Sequence, residues 1–370
     1  MKYYILAGEA SGDLHGSNLM KALLKKDAES QFRFWGGDLM RAVGGTLVTH
    51  YKERAFMGFA EVIANLGKIT RFISFCKEDI ASYKPDIIIF IDNSGFNLRI
   101  AKWAKKKGFR TAYYISPQVW ASRAGRVKAI KRDIDNLYAI LPFEADFYKK
   151  YNYNVHFVGH PLLDAIADKG PVKEKKFRQE YGLDDKPIIA LLPGSRKQEI
   201  TKMLAVMLQM IPKFPDYQFV IAGAPGQDFD FYEPFIKANA VKFIANKTYD
   251  LLSDSYAALV TSGTATLETA LFKVPQVVCY KAGSMSYQIA KRIITLKFIS
   301  LVNLIMDKEV VTELIQNDLN EKRLEQELSK ILDEGHRQQI FLDYYELEKK
   351  LGGKGASMKA AELIYKSLIQ

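Results

Sequence analysis

Cysteine is nearly absent. Cys76 and Cys279 are the only two in 370 residues, which excludes a disulfide framework or a cysteine-rich zinc site and fits a reducing compartment. Long apolar runs are missing as well: every candidate is broken by Lys, Arg, Asp or Gly before the roughly eighteen residues that a membrane span needs. The first residues, Met1 to Ala7, carry no cationic leader and run straight into Gly8-Glu9, so they read as a strand and not as a signal peptide. Neither G-x-x-x-x-G-K-[ST] nor G-x-G-x-x-G occurs, which excludes a P-loop nucleotidase and a dinucleotide fingerprint at the motif level. The five histidines are dispersed without zinc spacing, and the D-x-D pairs Asp133/Asp135 and Asp228/Asp230 read as chance, so no metal is expected.

Acidic residues are missing from one long stretch. Between Arg99 and Arg132 lie eleven basic residues and no acidic one, and the formal net charge of the whole chain is also +11. The excess charge therefore belongs to this stretch, which suits either an anionic partner such as phosphate, phospholipid or nucleic acid, or a solvated lysine-rich helix face. Base-stacking aromatics or an RNA-binding signature would accompany a nucleic-acid surface, and none is recognisable. What the chain does have is an ordinary globular composition, 48% hydrophobic and 26% charged, at a length that favours two domains.

Short β-branched or apolar runs alternate with helical periodicity. Tyr3–Ala7, Gln31–Trp35, Asp86–Ile91, Thr111–Ile115 and Asn136–Ile140 read as strands, with helical stretches at 68–83, 98–107, 125–132 and 144–151. After a polar, Lys-rich segment the alternation restarts with Ile188–Leu192, Gln218–Ala222, Val241–Ile244, Ala257–Val260 and Gln276–Tyr280. This predicts two α/β domains with parallel sheets, a boundary near residues 165–185, and ligands at the carboxyl ends of the strands in a cleft.

Three strand-to-helix junctions carry candidate chemistry. Gly8–Gly16 places Glu9, Ser11 and Asp13 among glycines spaced by four, either a polar floor for a sugar or phosphate or only a tight turn. Asp92 ends the apolar run Ile87–Ile91, where a desolvated carboxylate can act as a general base; alternatively it caps the following helix. In the second half, Ser195-Arg196 and Ser262-Gly263-Thr264 with Glu268 one helical turn on suit a nucleoside diphosphate: backbone N–H groups for phosphate, Arg196 for the leaving charge, Glu268 for a ribose. The competing reading is Ser/Thr capping of an ordinary helix. Around 55–75, Val62, Leu66, Ile69, Ile73, Cys76 and Ile80 form a core stripe, leaving Phe72 and Phe75 beside Lys68 as an interfacial membrane contact or a second packing face.

Eight motifs together are similar to one family nearly end to end: GEASGD (8–13), PDIIIFID (85–92), SPQVWA (116–121), LPFE (141–144), FVGHPLLD (157–164), LLPGSR (191–196), SGTATLE (262–268) and VTELIQ (311–316). They resemble lipid-A-disaccharide synthase, the membrane-associated glycosyltransferase of the lipid A pathway. That resemblance implies an α/β fold of GT-B type, two Rossmann-like domains facing a central cleft. It implies UDP-2,3-diacylglucosamine as donor, 2,3-diacylglucosamine 1-phosphate as acceptor, inversion at the anomeric carbon, and no required metal or cofactor. Residues 1–168 become the domain facing acceptor and membrane, and 169–340 the UDP-sugar domain. Residues 341–370 form a helical tail that packs back on the first domain or on a partner chain, the latter a homodimer.

Carried over by position, Asp92 falls on the base for the acceptor 6-hydroxyl. Arg196, Glu268 and Asn303 fall on the donor site, with Ser195, Ser262, Gly263 and Thr264 along the diphosphate. Glu9, Ser11 and Asp13 fall on the acceptor side. An acidic glycolipid needs a cationic landing surface, here Arg123 and Arg126 with their basic neighbours, and an apolar one, here Phe56, Phe72 and Phe75. The expected location is the cytoplasmic face of the inner membrane, as a peripheral protein. Two departures from the family pattern stand out: Ser122 in place of a second Trp, and Val302 in place of the Pro before Asn303. A UDP-sugar epimerase would share the donor site but has no use for a lipid-directed surface.

Overall fold

The computed structural model describes residues 1–54, 66–122, 124–169, 174–224, 227–239, 241–282 and 297–369. The chain divides into two compact units, Met1–Ala167 with Leu351–Gln370, and Asp168–Lys350. The first is built on β1 (Lys2–Ala7), β2 (Gln31–Gly36), β3 (Thr46–His50), β4 (Ile87–Ile91), β5 (Thr111–Tyr114), β6 (Asn136–Ala139) and β7 (His156–Phe157). They form one parallel sheet in the order β3-β2-β1-β4-β5-β6-β7. The second contains β8 (Ile188–Leu192), β9 (Gln218–Gly223), β10 (Lys242–Ala245), β11 (Ser255–Thr261), β12 (Gln276–Tyr280) and β13 (Glu313–Ile315), in the order β10-β9-β8-β11-β12-β13, again all parallel.

Both sheets reverse their winding once, between β1 and β4 and between β8 and β11. In an open parallel sheet that reversal opens a crevice at the carboxyl ends of the two strands, because the helices that follow them run to opposite faces. The strands at the reversal are the most apolar of their sheets. All five residues of Ile87–Ile91 and all five of Ile188–Leu192 are buried, as strands covered on both faces require. Helices Leu66–Tyr83, Ser94–Lys106 and Val127–Asp133 share one core with Tyr4, Phe90 and Tyr113, which places all three on the same face of the first sheet.

The chain returns to the first unit at Leu351, inside the stretch expected to form the tail. The final helix, Ala356–Ile369, packs on Ala10–Leu24. Its start is held by Asp164, whose carboxylate accepts from the backbone N–H groups of Gly355 (2.6 Å) and Ser357 (3.0 Å). An acid at a helix N-terminus satisfies open donors and the dipole together. This accounts for the aspartate that closes the motif FVGHPLLD.

Candidate active site

At the first reversal, Asp92 and Asn93 both adopt left-handed backbone, each with φ of 44°. Consecutive non-glycine residues in that region carry strain and persist only where the surroundings fix them. Here the Asn97 amide donates to the carbonyl of Asp92 (2.8 Å) and also to those of Ile91 (3.2 Å) and Leu6 (3.3 Å), and the Tyr113 hydroxyl donates to the same Asp92 carbonyl. One buried asparagine therefore ties the ends of β1 and β4 together. Neither Asn97 nor Tyr113 was anticipated from the sequence, since both act on a main-chain atom.

Asp92 is not the cap of the next helix: the N-cap position of Ser94–Lys106 is Asn93, and no side-chain cap bond is made. Its carboxyl is accessible to solvent, yet it titrates above the ordinary carboxylate range, first because the surrounding protein desolvates it and second because Glu9 is negatively charged nearby. The Asn93 N–H partly offsets both. The structure therefore brings Glu9 and Asp92 together across the reversal. Gly8 permits this meeting: a Cβ there would stand 2.1 Å from Asn93 Nδ2.

The glycine-spaced segment differs from the loop expected. The helix already begins at Ala10, so Gly12 and Gly16 lie within it, where a Cβ would press on Ala7 and on Met40. Ser11 is exposed in the first turn. Asp13 is buried and fully occupied: its carboxylate accepts from the N–H groups of Gly37 (2.8 Å), Leu39 (3.0 Å) and Met40 (3.0 Å). It holds the turn after β2 and presents no free oxygen to a ligand.

A second buried carboxyl lies beside this region. Glu144 Oε2 accepts from the N–H groups of Ile140 (3.1 Å) and Leu141 (3.0 Å), while Oε1 faces Ser116 and the Trp120 indole without closing a hydrogen bond to either. It joins the motifs SPQVWA and LPFE. Burial pushes its carboxyl up to about 7, with the Leu141 and Ile140 N–H groups pulling the other way. The folded chain thus holds this proton more tightly than the unfolded chain does. The associated stability is complete below the ordinary glutamate range and is lost as pH rises toward 7, on the order of 3 kcal/mol in all. Glu144→Gln should flatten that decline in a urea-denaturation series from pH 5 to 8; an unchanged slope would refute the assignment.

At the second reversal, Ser195 and Arg196 are exposed, with Arg196 at the N-cap position of Lys197–Met207. Gly194 (φ 104°) makes the turn, and a Cβ there would collide with Glu199, whose Oε2 accepts the Ser195 N–H at 3.1 Å. After β11 the N-cap of Thr264–Leu271 is Gly263, which has no side chain to cap with, and the Ser262 hydroxyl is turned to the Ile299 carbonyl (3.0 Å). Ser/Thr capping is therefore not what this motif does. Among the described residues the N–H groups of Gly263, Thr264 and Ala265 have no hydrogen-bond acceptor, while that of Thr266 turns back to the Gly263 carbonyl (3.2 Å). Glu268 lies one turn on, its carboxyl raised by burial and held by the Tyr249 hydroxyl (2.8 Å), which partly offsets that rise.

Asn303 is wholly buried and its amide is used internally. Oδ1 accepts from Val310 N (2.8 Å) and Val311 N (3.0 Å), and Nδ2 donates to Val311 O (2.8 Å) and Glu313 Oε1 (2.9 Å). It shapes the wall that carries Ser262's partner instead of presenting a polar group. Val302 occupies the first turn of Leu301–Met306, where the family proline would forgo only an N–H that has no intrahelical partner, so the turn survives the change.

Of the lipid-directed residues, Phe56 and Arg123 lie outside the described residues. Phe72 is not on a separate face: it is half-buried, and its ring packs edge-on against buried Trp35 at 6.1 Å at the margin of the core, where the Phe75 ring also meets Trp35 at 6.0 Å. A 3.6-residue stripe misplaced it because Trp35 widens the buried face. Phe75 remains 46% exposed. In the basic stretch, Lys105 pairs with Asp135 and Arg132 with Asp133, while Arg99, Lys102, Lys106, Arg126 and Lys128 have no acidic partner among the described residues. Those pairings also occupy both acids of one D-x-D pair.

A family model described as lipid-A-disaccharide synthetase matches residues 3–367. The chain belongs to the lipid-A-disaccharide synthase family. The synthase of Syntrophus aciditrophicus is 40% identical over 366 residues, covering 96% of this chain and 95% of its own length. That of Geobacter metallireducens is 37% identical over 372 residues, covering 98% and 96%. The protein is thus an enzyme, a glycosyltransferase of the lipid A pathway. UDP-GlcNAc 2-epimerase from Neisseria meningitidis, solved bound to UDP-GlcNAc, matches with a TM-score of 0.66 at 13% identity over 100% of both chains. The Methanocaldococcus jannaschii epimerase, solved with UDP-GlcNAc and UDP, matches with 0.68 at 13% identity, covering 99% of this chain and 100% of its own. At such identity these likenesses show the fold, two Rossmann-like units of GT-B type. Among the described residues no helix is long and apolar enough to cross a membrane.

Proposed function

We propose that the enzyme transfers the diacylglucosaminyl group of UDP-2,3-diacylglucosamine to 2,3-diacylglucosamine 1-phosphate, with inversion. The observation that carries the reading is Asp92: an accessible carboxylate of raised basicity on a strained, clamped strand end. Its carboxylate takes the proton of the acceptor 6-hydroxyl as that oxygen attacks the anomeric carbon, and the C1–O bond to UDP breaks on the opposite face. The diphosphate charge is met by Arg196 and by the N–H groups of Gly263, Thr264 and Ala265, with Ser195 and Ser262 supporting their turns. Glu268 accepts from the ribose. Glu9 keeps Asp92 basic, and Ser11 stands exposed on the acceptor side.

The acyl chains call for a lipid-facing surface, which we place on the helices Leu66–Tyr83, Ser94–Lys106 and Val127–Asp133. They lie on one face of the sheet and expose Phe75, Lys102 and Lys128, with half-buried Arg126 just before the last helix. Such a surface suits a peripheral protein on an anionic cytoplasmic leaflet. Phe75→Ser should weaken sedimentation with anionic vesicles severalfold, and Lys102→Glu with Lys128→Glu roughly tenfold or more, at unchanged UDP affinity. Vesicle binding that ignores all three would place the surface elsewhere.

The activity itself is tested by UDP release from UDP-2,3-diacylglucosamine with and without the acylated acceptor phosphate, in detergent and chelator. Acceptor-dependent release that survives the chelator is expected. Turnover without acceptor would favour the epimerase chemistry of the structural neighbours.

A further inference from the structure

Glu268 is held in position from a second helix. The carboxylate projects from Thr264–Leu271, and residue 272 follows four positions later on the same side of that helix. Tyr249, from the separate helix Thr248–Ser253 after β10, lies along this side. Its ring packs on Phe272 with centroids 5.2 Å apart, and its hydroxyl donates to Glu268 Oε1 at 2.8 Å. Two contacts fix both the ring and the hydroxyl, so the tyrosine sets the rotation of the carboxylate. Among the described residues Glu268 Oε2 takes no hydrogen bond.

We infer that Tyr249 is a positioning residue for ribose recognition: it occupies one oxygen of Glu268 and turns the other toward the sugar hydroxyls. This rests on the reading of Glu268 as the ribose acceptor. A protonated Glu268 would lose an acceptor that a ribose diol needs, and burial already favours the protonated form. The tyrosine hydrogen bond opposes that tendency, so removing it should raise the pH below which ribose recognition fails. Burial raises both groups, the Tyr249 hydrogen bond lowers Glu268, and the Glu268 charge raises Tyr249.

The experiment compares UDP with 2′-deoxy-UDP, by calorimetry on the full chain from pH 5 to 9. Titration of the diphosphate is common to both ligands and cancels in their affinity ratio. In the wild type the preference for UDP should weaken only toward acid pH. Tyr249→Phe keeps the ring on Phe272, so the fold is retained; the preference should fall several-fold at an acid pH where the wild type still holds it, recover at higher pH, and show its midpoint raised. A preference and midpoint that match the wild type would overturn the inference, as would an equal weakening of both ligands at every pH, the mark of a purely structural role. Glu268→Gln separates the underlying reading: should it leave the preference intact, Glu268 is not the ribose acceptor and the donor-site assignment fails with it. Direct titration of the Glu268 carboxyl by 13C NMR in the free Tyr249→Phe chain provides a second measurement, with an unshifted midpoint counting against Tyr249.

Discussion

Asp92→Asn should cut turnover by about a thousandfold, roughly 4 kcal/mol of barrier, while UDP affinity moves less than twofold. The amide is nearly isosteric and the backbone at 92 is held through its carbonyl by Asn97 and Tyr113, so the strained turn survives the change. What disappears is the proton acceptor. The wild-type rate should fall as pH drops through the raised titration of Asp92, since only the carboxylate can take the hydroxyl proton. Glu9→Gln removes the neighbouring negative charge and should shift that acid limb to lower pH without abolishing activity. Initial rates across pH 5–9 for the three proteins decide the matter; a variant with Asn at 92 and near-native turnover would remove Asp92 from the base role.

The second large effect is expected in stability. Asn303→Ala leaves the N–H groups of Val310 and Val311 and the Val311 carbonyl short of a partner in a buried place, and removes one of the two hydrogen bonds that Glu313 Oε1 accepts. Each orphaned group costs about 1–3 kcal/mol, and partial rearrangement brings the total to the order of 3–5 kcal/mol. For a unit of this size that lowers the melting temperature by roughly 10 °C. Donor binding should weaken along with it, because Glu313 also holds the Ile299 and Ser300 N–H groups (2.8 and 2.9 Å) behind Ser262. Asn303→Asp should rescue little: it keeps acceptors for two N–H groups but sets a second carboxylate against Glu313. A melting temperature unchanged in Asn303→Ala would show that the loop is held by other contacts.

The central strands were legible because a strand covered on both faces has no polar position to vary, as in Ile87–Ile91 and Ile188–Leu192. The edge strands β3, β7 and β13 were not: Thr46–His50 is mixed in polarity, and the other two are two and three residues long. Their pairing is decided by the neighbour and not by their own pattern. Asp92 could be found from its place at the end of such a strand. Asp13 looked like a site acid for a similar reason, yet its partners are N–H groups from a turn that only the folded chain brings to it. Phe72 was misplaced because helical periodicity counts residues, whereas the width of a buried face depends on what it meets, here the indole of Trp35.

The packing of Ala356–Ile369 on Ala10–Leu24 bears on how the chain is made. The second unit is continuous in sequence, whereas the first is assembled from stretches on either side of it and is finished only when Ala356–Ile369 has been made. At roughly 5–20 residues per second, the intervening segment delays that completion by about ten to forty seconds. During this interval the nascent chain carries Ala10–Leu24 without its covering helix, and the acid at Asp164 waits for the N–H groups it will cap. Loss of Ala356–Ile369 would therefore damage a unit most of which was synthesised long before it.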